Sequence, residues 1–350
     1  MMRCYPVTAF GAKLARSDRP TPALAGTELL LRVGACGVCH SDLHLWDGKF
    51  DLGEGESFDL ARSMNLPVTL GHEIAGEVVA LGPDAQGVAL GDRRVVFPWI
   101  GCGSCAICRR GEEQLCGRPR VLGIGADGGY ADHVVVPHPR YLIDFAGLPD
   151  TLACTLACSG LTAYGALRKV APLGAEDALL IIGAGGVGLS AVRLAQRVAG
   201  VAPLVADLDP AKREAATAAG AVVVLDPTEP GRVRALIKDT GGGVAAALDF
   251  VGSASSAQFG LDALRKGGRL VVVGLYGGSL RLKLPLVPMR AINVGGSYVG
   301  SLADLRALVA LAQAGGLPRL PIHPRPLDQV NETLGELRAG RIVGRAVLQP

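Results

Sequence analysis

Apolar runs alternating with amphipathic segments constrain the middle of this 350-residue chain more than any other feature. From about residue 156 to 295, ALLII leads into VGLSAVRLAQRVAG, APLVAD leads into PAKREAATAAG, and AVVVLD follows. Strands that are apolar throughout are buried on both faces, and parallel strands need a crossover, usually a helix. The pattern predicts a parallel sheet with helices on both sides. Between ALLII and the first helix stands GAGGVG, residues 183 to 188. With 49 glycines in the chain, that string alone says little. Its flanks give it meaning, because a pyrophosphate at the turn would meet a helix N-terminus. Gly183 permits the turn, Gly185 and Gly186 let the backbone approach phosphate, and Gly188 lets helix close on strand. Asp207, at the end of the next strand, is placed to hydrogen-bond ribose hydroxyls and to repel a 2′-phosphate, which favours NAD over NADP.

The flanking regions read differently. Residues 27 to 145 hold short β-rich pieces such as ELLLRVGACG, HEIAGEVVALG, DRRVVFPW and DHVVVP, separated by Gly, Pro and Asp. From about 296, a helix (SLADLRALVALAQAG), an extended piece and a second helix (LDQVNETLGELRAG) lead to a last strand, GRAVLQ. That tail is too short to stand alone. It is expected to pack back on the first region, so that residues 1–155 and 296–350 form one domain and 156–295 another. At 49% hydrophobic, the chain has core enough for both. Its net charge of +3 is scattered, which predicts no nucleic-acid or membrane surface, and aromatics at 4% offer no stacking platform. No apolar run reaches membrane-span length, and MMRCYPVTAFGAKLAR has no leader-type apolar core. The expected setting is the cytoplasm.

Nine cysteines in a reducing compartment bind metal more often than they pair. Cys102, Cys105, Cys108 and Cys116 stand in C-x2-C-x2-C-x7-C spacing, which can close a tetrahedron of thiolates around a structural zinc. A ferredoxin-type run would end in a nearer cysteine followed by proline, whereas Gly117 follows here. Arg109, Arg110, Glu112 and Glu113 mark the segment as an exposed loop. Chemistry must then come from the remaining cysteines and six histidines. CHSDLH (39 to 44), GHE (71 to 73) and Cys158, expected at a strand-helix junction, together offer Cys, His and Cys. A Cys2His set is one known arrangement for a catalytic zinc with its fourth position open. Cys36 and Cys39 form a C-x-x-C without the setting of a redox pair. Between His44 and Gly71 runs an acid-rich stretch, with Asp47, Asp51, Glu54, Glu56 and Asp59 against Lys49 and Arg62. It reads equally as a lid over residues 47 to 65 that disfavours anionic substrates, or as a solvated excursion. Trp46 and Trp99 are candidate pocket walls.

CGVCHSDLH, GHEIAGEVVALG, the four-cysteine loop, CSGLTAY and GAGGVG occur here in one order. In that order, and nearly end to end, the chain resembles the zinc-dependent alcohol dehydrogenases of the medium-chain dehydrogenase/reductase superfamily. The resemblance implies an α/β fold with a GroES-like β-rich catalytic domain carrying both zinc sites and a Rossmann doubly wound coenzyme domain. It implies NAD and two Zn²⁺ per chain, one catalytic and one structural. Cys39, His72 and Cys158 would hold the catalytic zinc, with Glu73 close enough to exchange onto it. Ser41 would take the alcohol proton and pass it through the nicotinamide ribose to His44, while Asp42 orients His72. His40 and Arg345 fall at the pyrophosphate, Lys212 near the adenosine ribose, and Thr162 and Val187 beside the nicotinamide. The implied reaction is reversible oxidation of a primary or secondary alcohol to aldehyde or ketone by a homo-oligomer, a tetramer rather than a dimer. A polyol or amino-alcohol dehydrogenase would share nearly all of this, although such relatives often carry Glu in place of Cys158. A non-catalytic zinc-binding module would explain the four-cysteine loop alone, and a zinc-free quinone reductase would need none of Cys39, His72 and Cys158.

Overall fold

A computed structural model describes residues 1–60 and 64–350. In the first part of the chain, β1 (Leu29–Gly37) is followed by α1 (His40–Asp47), and then by a hairpin of β2 (Lys49–Gly53) and β3 (Glu56–Asp59). Strands β4 (Glu73–Leu81), β5 (Arg93–Val96), β6 (His133–Val136) and β7 (Leu142–Asp144) come next. A continuous helical stretch then runs from α2 (Asp150–Thr155) through a wide π-helical turn, Leu156–Gly160, into α3 (Leu161–Arg168). The second part holds β8 (Leu179–Ile182), α4 (Gly186–Val198), β9 (Leu204–Ala206), α5 (Pro210–Ala218), β10 (Val223–Leu225) and β11 (Val244–Asp249). It closes with α6 (Ala254–Ala263), β12 (Leu264–Val272) and β13 (Asn293–Gly296). Last come α7 (Leu302–Gln313), β14 (Ile322–Pro326), α8 (Val330–Arg338) and β15 (Arg345–Gln349).

Two sheets organise these elements. Seven strands form the first, in the order β7-β5-β4-β1-β15-β14 with β6 also on β1, and only β14 and β15 run parallel to each other. Close pairing of β1 with β4 depends on Gly76, where a Cβ would lie 2.1 Å from the Arg32 carbonyl oxygen. The C-terminal strand β15 pairs with the end of β1, Val347 opposite Gly37. It thereby delivers Arg345 beside the start of α1. The second sheet has six parallel strands in the order β10-β9-β8-β11-β12-β13. LLII in β8 and VAAALD in β11 are buried at every position, as expected for central strands covered on both faces. The strand order reverses between β8 and β11, where a doubly wound sheet opens a crevice at its carboxyl ends.

The acid-rich stretch after His44 is more ordered than its sequence foretold. Lys49 pairs with Asp59 and Phe50 with Phe58, and the hairpin rests on the loop after β12. A Cβ on Gly53 would lie 2.5 Å from the Gly278 Cα, and one on Gly277 would lie 2.6 Å from the Asp51 carbonyl oxygen. Asp51, Glu54 and Glu56 face solvent, while Asp47 pairs with Arg338 at 2.6 Å. Arg62, within the stretch read as a lid, lies outside the described residues. Among those described, no helix is long and apolar enough to cross a membrane.

Candidate metal centre and coenzyme cleft

Cys39, His72, Glu73 and Cys158 come from four places in the fold, and their ligand atoms lie within 4.8 Å of one another. Cys39 caps α1, with its backbone N–H donating to the Asp42 carboxylate at 2.8 Å. His72 and Glu73 lead into β4. Cys158 projects from the π-helical turn, a correction to the strand-helix junction expected for it. The physical reason is local: LACSG is one uninterrupted helical segment with a widened turn, and the preceding apolar residues are helix, not strand.

The group is dry. His72 and Glu73 are fully buried and the two thiols nearly so. Among the described residues neither ring nitrogen of His72 completes a hydrogen bond: Nε2 has no partner, and Nδ1 stands at ion-pair distance, 3.3 Å, from the equally unpartnered Asp42 Oδ1. A buried polar atom left unpaired costs about 1–3 kcal/mol. An imidazole nitrogen orphaned between two thiols and a carboxylate therefore fits a cation such as Zn²⁺. Burial alone would push the His72 pKa down, yet the Asp42 carboxylate and Cys39 more than reverse it. A hydrogen bond between the thiols holds Cys39 well below the ordinary thiol range and Cys158 well above it. Glu73 is turned to Arg345, 2.6 Å away, and its other oxygen accepts from the Ser159 N–H at 3.2 Å. Room for its carboxylate exists because Gly37 has no side chain, since a Cβ there would lie 2.0 Å from Oε2.

Cys102, Cys105, Cys108 and Cys116 form the second group. Sulfur-sulfur separations of 3.4, 3.9 and 4.0 Å bracket the edge of about 3.8 Å that a tetrahedron with Zn–S bonds of about 2.3 Å requires. Backbone N–H groups of Cys102, Cys108 and Arg118 point at these sulfurs. The Ser104 N–H and hydroxyl pull the Cys102 thiol down to about 5, whereas burial pushes Cys108 up to about 12. Arg109 and Arg110 are exposed as expected, but Glu113 is buried. Its carboxylate accepts from the Gly101 N–H at 2.9 Å and the Tyr141 hydroxyl at 2.8 Å, and pairs with Arg140 at 3.0 Å. These partners explain how a charge can leave water here.

The glycine turn is joined to this group through Arg345, which pairs with Glu73 and covers Gly186. Gly183 has φ +88°, and a Cβ on Gly188 would lie 1.8 Å from the Gly183 carbonyl oxygen. Gly185 faces open space, while Gly186 lies under the Arg345 side chain. Thr162 is one helical turn beyond Cys158, and Val187 is the second residue of α4. The Asp207 carboxylate is oriented by the turn itself, accepting from the Ala184 N–H at 2.6 Å and the Asp209 N–H at 2.9 Å. His40 begins α1; desolvation, with the charges of Arg345 and Lys212 adding and Cys39 opposing, lowers its pKa. Ser41 and His44 share one face of α1, and the His44 ring packs on Phe50 at 4.7 Å.

The two tryptophans part company. Trp99 meets His72 edge-on at 5.4 Å, and its indole N–H donates to the Ala157 carbonyl at 3.0 Å. Trp46 is committed elsewhere, donating to the Ala12 carbonyl at 2.6 Å under the Arg338 guanidinium. Tyr298, which the sequence did not single out, packs edge-on against Trp99 at 5.7 Å. Desolvation, with Cys158 adding to it, pushes its hydroxyl pKa up to about 12.

Comparison with known proteins agrees with this geometry. The family model described as alcohol dehydrogenase GroES-like domain matches residues 25–147, and the one described as zinc-binding dehydrogenase matches residues 186–314. An NAD-dependent alcohol dehydrogenase of Sulfurisphaera tokodaii is 37% identical, with all of both chains covered. The chain belongs to the zinc-dependent alcohol dehydrogenases of the medium-chain superfamily. The crystal structure of the alcohol dehydrogenase from Aeropyrum pernix superposes on this dehydrogenase with a TM-score of 0.87 at 31% identity, covering 99% of this chain and 100% of that one. A D-arabinose 1-dehydrogenase (NADP(+)) of Saccharolobus solfataricus is 29% identical over 97% of this chain and 95% of its own. The dehydrogenase thus has the GroES-like and Rossmann units that its motif order implied.

Proposed function

We infer that this dehydrogenase oxidises small neutral primary or secondary alcohols to aldehydes or ketones with NAD, at a centre made by Cys39, His72 and Cys158. The observation that carries the reading is the orphaned, fully buried Nε2 of His72 grouped with two thiols, with Arg345 joining the neighbouring Glu73 to the glycine turn. When bound, zinc supplies Lewis-acid polarisation of the alcohol oxygen and NAD a hydride acceptor. Cys39 and Cys158, as thiolates, would balance the metal's charge, and Asp42 holds the His72 ring by Nδ1. Ser41 takes the hydroxyl proton, and His44 on the same helix face delivers it to solvent. His40, Arg345 and the α4 N-terminus hold the pyrophosphate, Thr162 and Val187 border the nicotinamide, and Asp207 and Lys212 serve the ribose. Trp99 and Tyr298 line the substrate side.

The four-cysteine loop would hold a second, structural zinc. In domain terms, residues 1–155 and 296–350 form the catalytic unit around a coenzyme unit of 156–295. A homo-oligomer is supported by β13, an edge strand with all four residues exposed. Nine free cysteines suit a cytoplasmic setting. A sugar substrate is the second reading, because one relative acts on D-arabinose with NADP. The deciding experiment measures NADH formation with a panel of primary, secondary, aromatic and polyol alcohols and aldoses, together with zinc content. Turnover of simple alcohols with about two zinc ions per chain is expected. Exclusive turnover of aldoses with NADP would replace this reading with the second.

A further inference from the structure

Tyr130 stands outside every motif above, and it is completely buried. Its hydroxyl donates to the Asp42 Oδ2 at 2.8 Å. The same oxygen accepts the Cys39 backbone N–H at 2.8 Å, so two donors hold one side of the carboxylate. Oδ1 completes no hydrogen bond among the described residues and faces the His72 Nδ1 at an ion-pair distance of 3.3 Å. A carboxylate pinned through one oxygen cannot rotate, and its other oxygen then has a set direction. That direction keeps the proton of neutral His72 on Nδ1 and the lone pair of Nε2 toward the metal-ligand group. Burial and the nearby Asp42 charge push the Tyr130 pKa well above the ordinary tyrosine value, so the hydroxyl stays a donor.

We propose that Tyr130 is a positioning residue for the metal centre: its hydroxyl fixes the Asp42 carboxylate, which in turn fixes His72. The inference rests on the Cys39–His72–Cys158 reading of the site. The rest of Tyr130 does a separable job. Its ring lies against Gly71, where a Cβ would sit 2.5 Å from Cδ1, and its backbone bonds Leu70 and Tyr5. Phenylalanine keeps all of these contacts and removes one donor.

The test is zinc release from the holoenzyme to excess chromogenic chelator, followed in Tyr130→Phe, Cys158→Ala and Tyr141→Phe beside the wild type. Cys158→Ala identifies the phase that belongs to the catalytic-site metal by abolishing it. Tyr130→Phe is expected to speed that phase about 10-fold, the low end of the about 10- to 100-fold loss of affinity that follows removal of a ligand's direct partner, because Tyr130 acts one step further out, through Asp42. The four-cysteine phase and the unfolding midpoint of the zinc-loaded enzyme should stay unchanged. Tyr141→Phe removes a comparable buried hydroxyl, the one on Glu113, and should leave the catalytic-site phase alone. A wild-type catalytic-site phase in Tyr130→Phe, or equal acceleration of both phases, overturns the inference. So does a Tyr130→Phe chain that fails to fold while Tyr141→Phe folds, because the hydroxyl would then serve the fold. If instead Cys158→Ala leaves every phase intact, the metal reading beneath the inference is what fails.

Discussion

His44 shows how a single side chain is tuned by what surrounds it. Desolvation in the α1–hairpin crevice, with His40 adding its charge and Asp47 and Cys39 opposing, lowers its pKa below the ordinary imidazole value. The neutral, proton-accepting form therefore persists at pH values where a free imidazole is half charged, near 6.5. Alcohol oxidation by the wild type should hold through that pH and fall only as pH drops through the lowered value. Unfolding restores the ordinary pKa, so the native state binds fewer protons in that interval and stability falls in the same direction. His44→Gln should slow kcat for oxidation most at low pH, with the gap to wild type narrowing as hydroxide takes over; a pH-profile of kcat checks this, and a uniform loss would assign His44 to structure. At this scale, cysteines and histidines were legible because few roles other than metal binding explain Cys39, His72 and Cys158 together. Tyr130, Tyr298 and Glu113 were not, because tyrosine is an ordinary core residue and a glutamate beside two exposed arginines reads as surface until its three partners are known.

Elements were legible where periodicity was strong. All three apolar runs of the glycine-rich half became parallel strands, and GAGGVG became the turn into α4. That turn makes a sharp claim about Gly188. With only 1.8 Å between a new Cβ and the Gly183 oxygen, Gly188→Ala must push α4 off β8. Overpacking of this kind typically costs about 1–3 kcal/mol. Urea unfolding should report that loss, and calorimetric titration with NAD should show weakened binding even in the chain that remains folded. The β2–β3 hairpin was invisible for the converse reason: in KFDLGEGESFD the alternation lasts only from Lys49 to Leu52, the Glu54-Gly55 loop is not a favoured turn pair, and its seat is two glycines more than two hundred residues away. Backbone meeting backbone leaves no residue-type signal.

For the whole molecule, the order of motifs carried the most information, since it set catalytic and coenzyme units side by side before any coordinates did. Strands β14 and β15 return to the first sheet as the short tail required. What no pattern disclosed was how the molecule's outer surface is used. Leu284, Met289 and Val294 are exposed around β13, whose outer edge carries unpaired backbone groups. Long exposed edges invite pairing unless charge protects them. If β13 carries the contact of the proposed homo-oligomer, Val294→Lys should lower the molar mass measured by light scattering while leaving zinc content intact; an unchanged mass would mean that β13 is not an assembly contact.

The wide turn at Leu156–Gly160 also bears on how such a chain can change over generations. It contains one residue more than an α-helical turn would, so loss of a single codon from 156 to 160 can leave a helix still joining Asp150 to Arg168. Everything on one side of the deletion would rotate by about 100° relative to the other. A deletion ahead of Cys158 would then turn its thiol away from His72 relative to the helix before it. A descendant of this gene could thus lose the proposed catalytic metal site in one step, without a single substitution at Cys39 or His72.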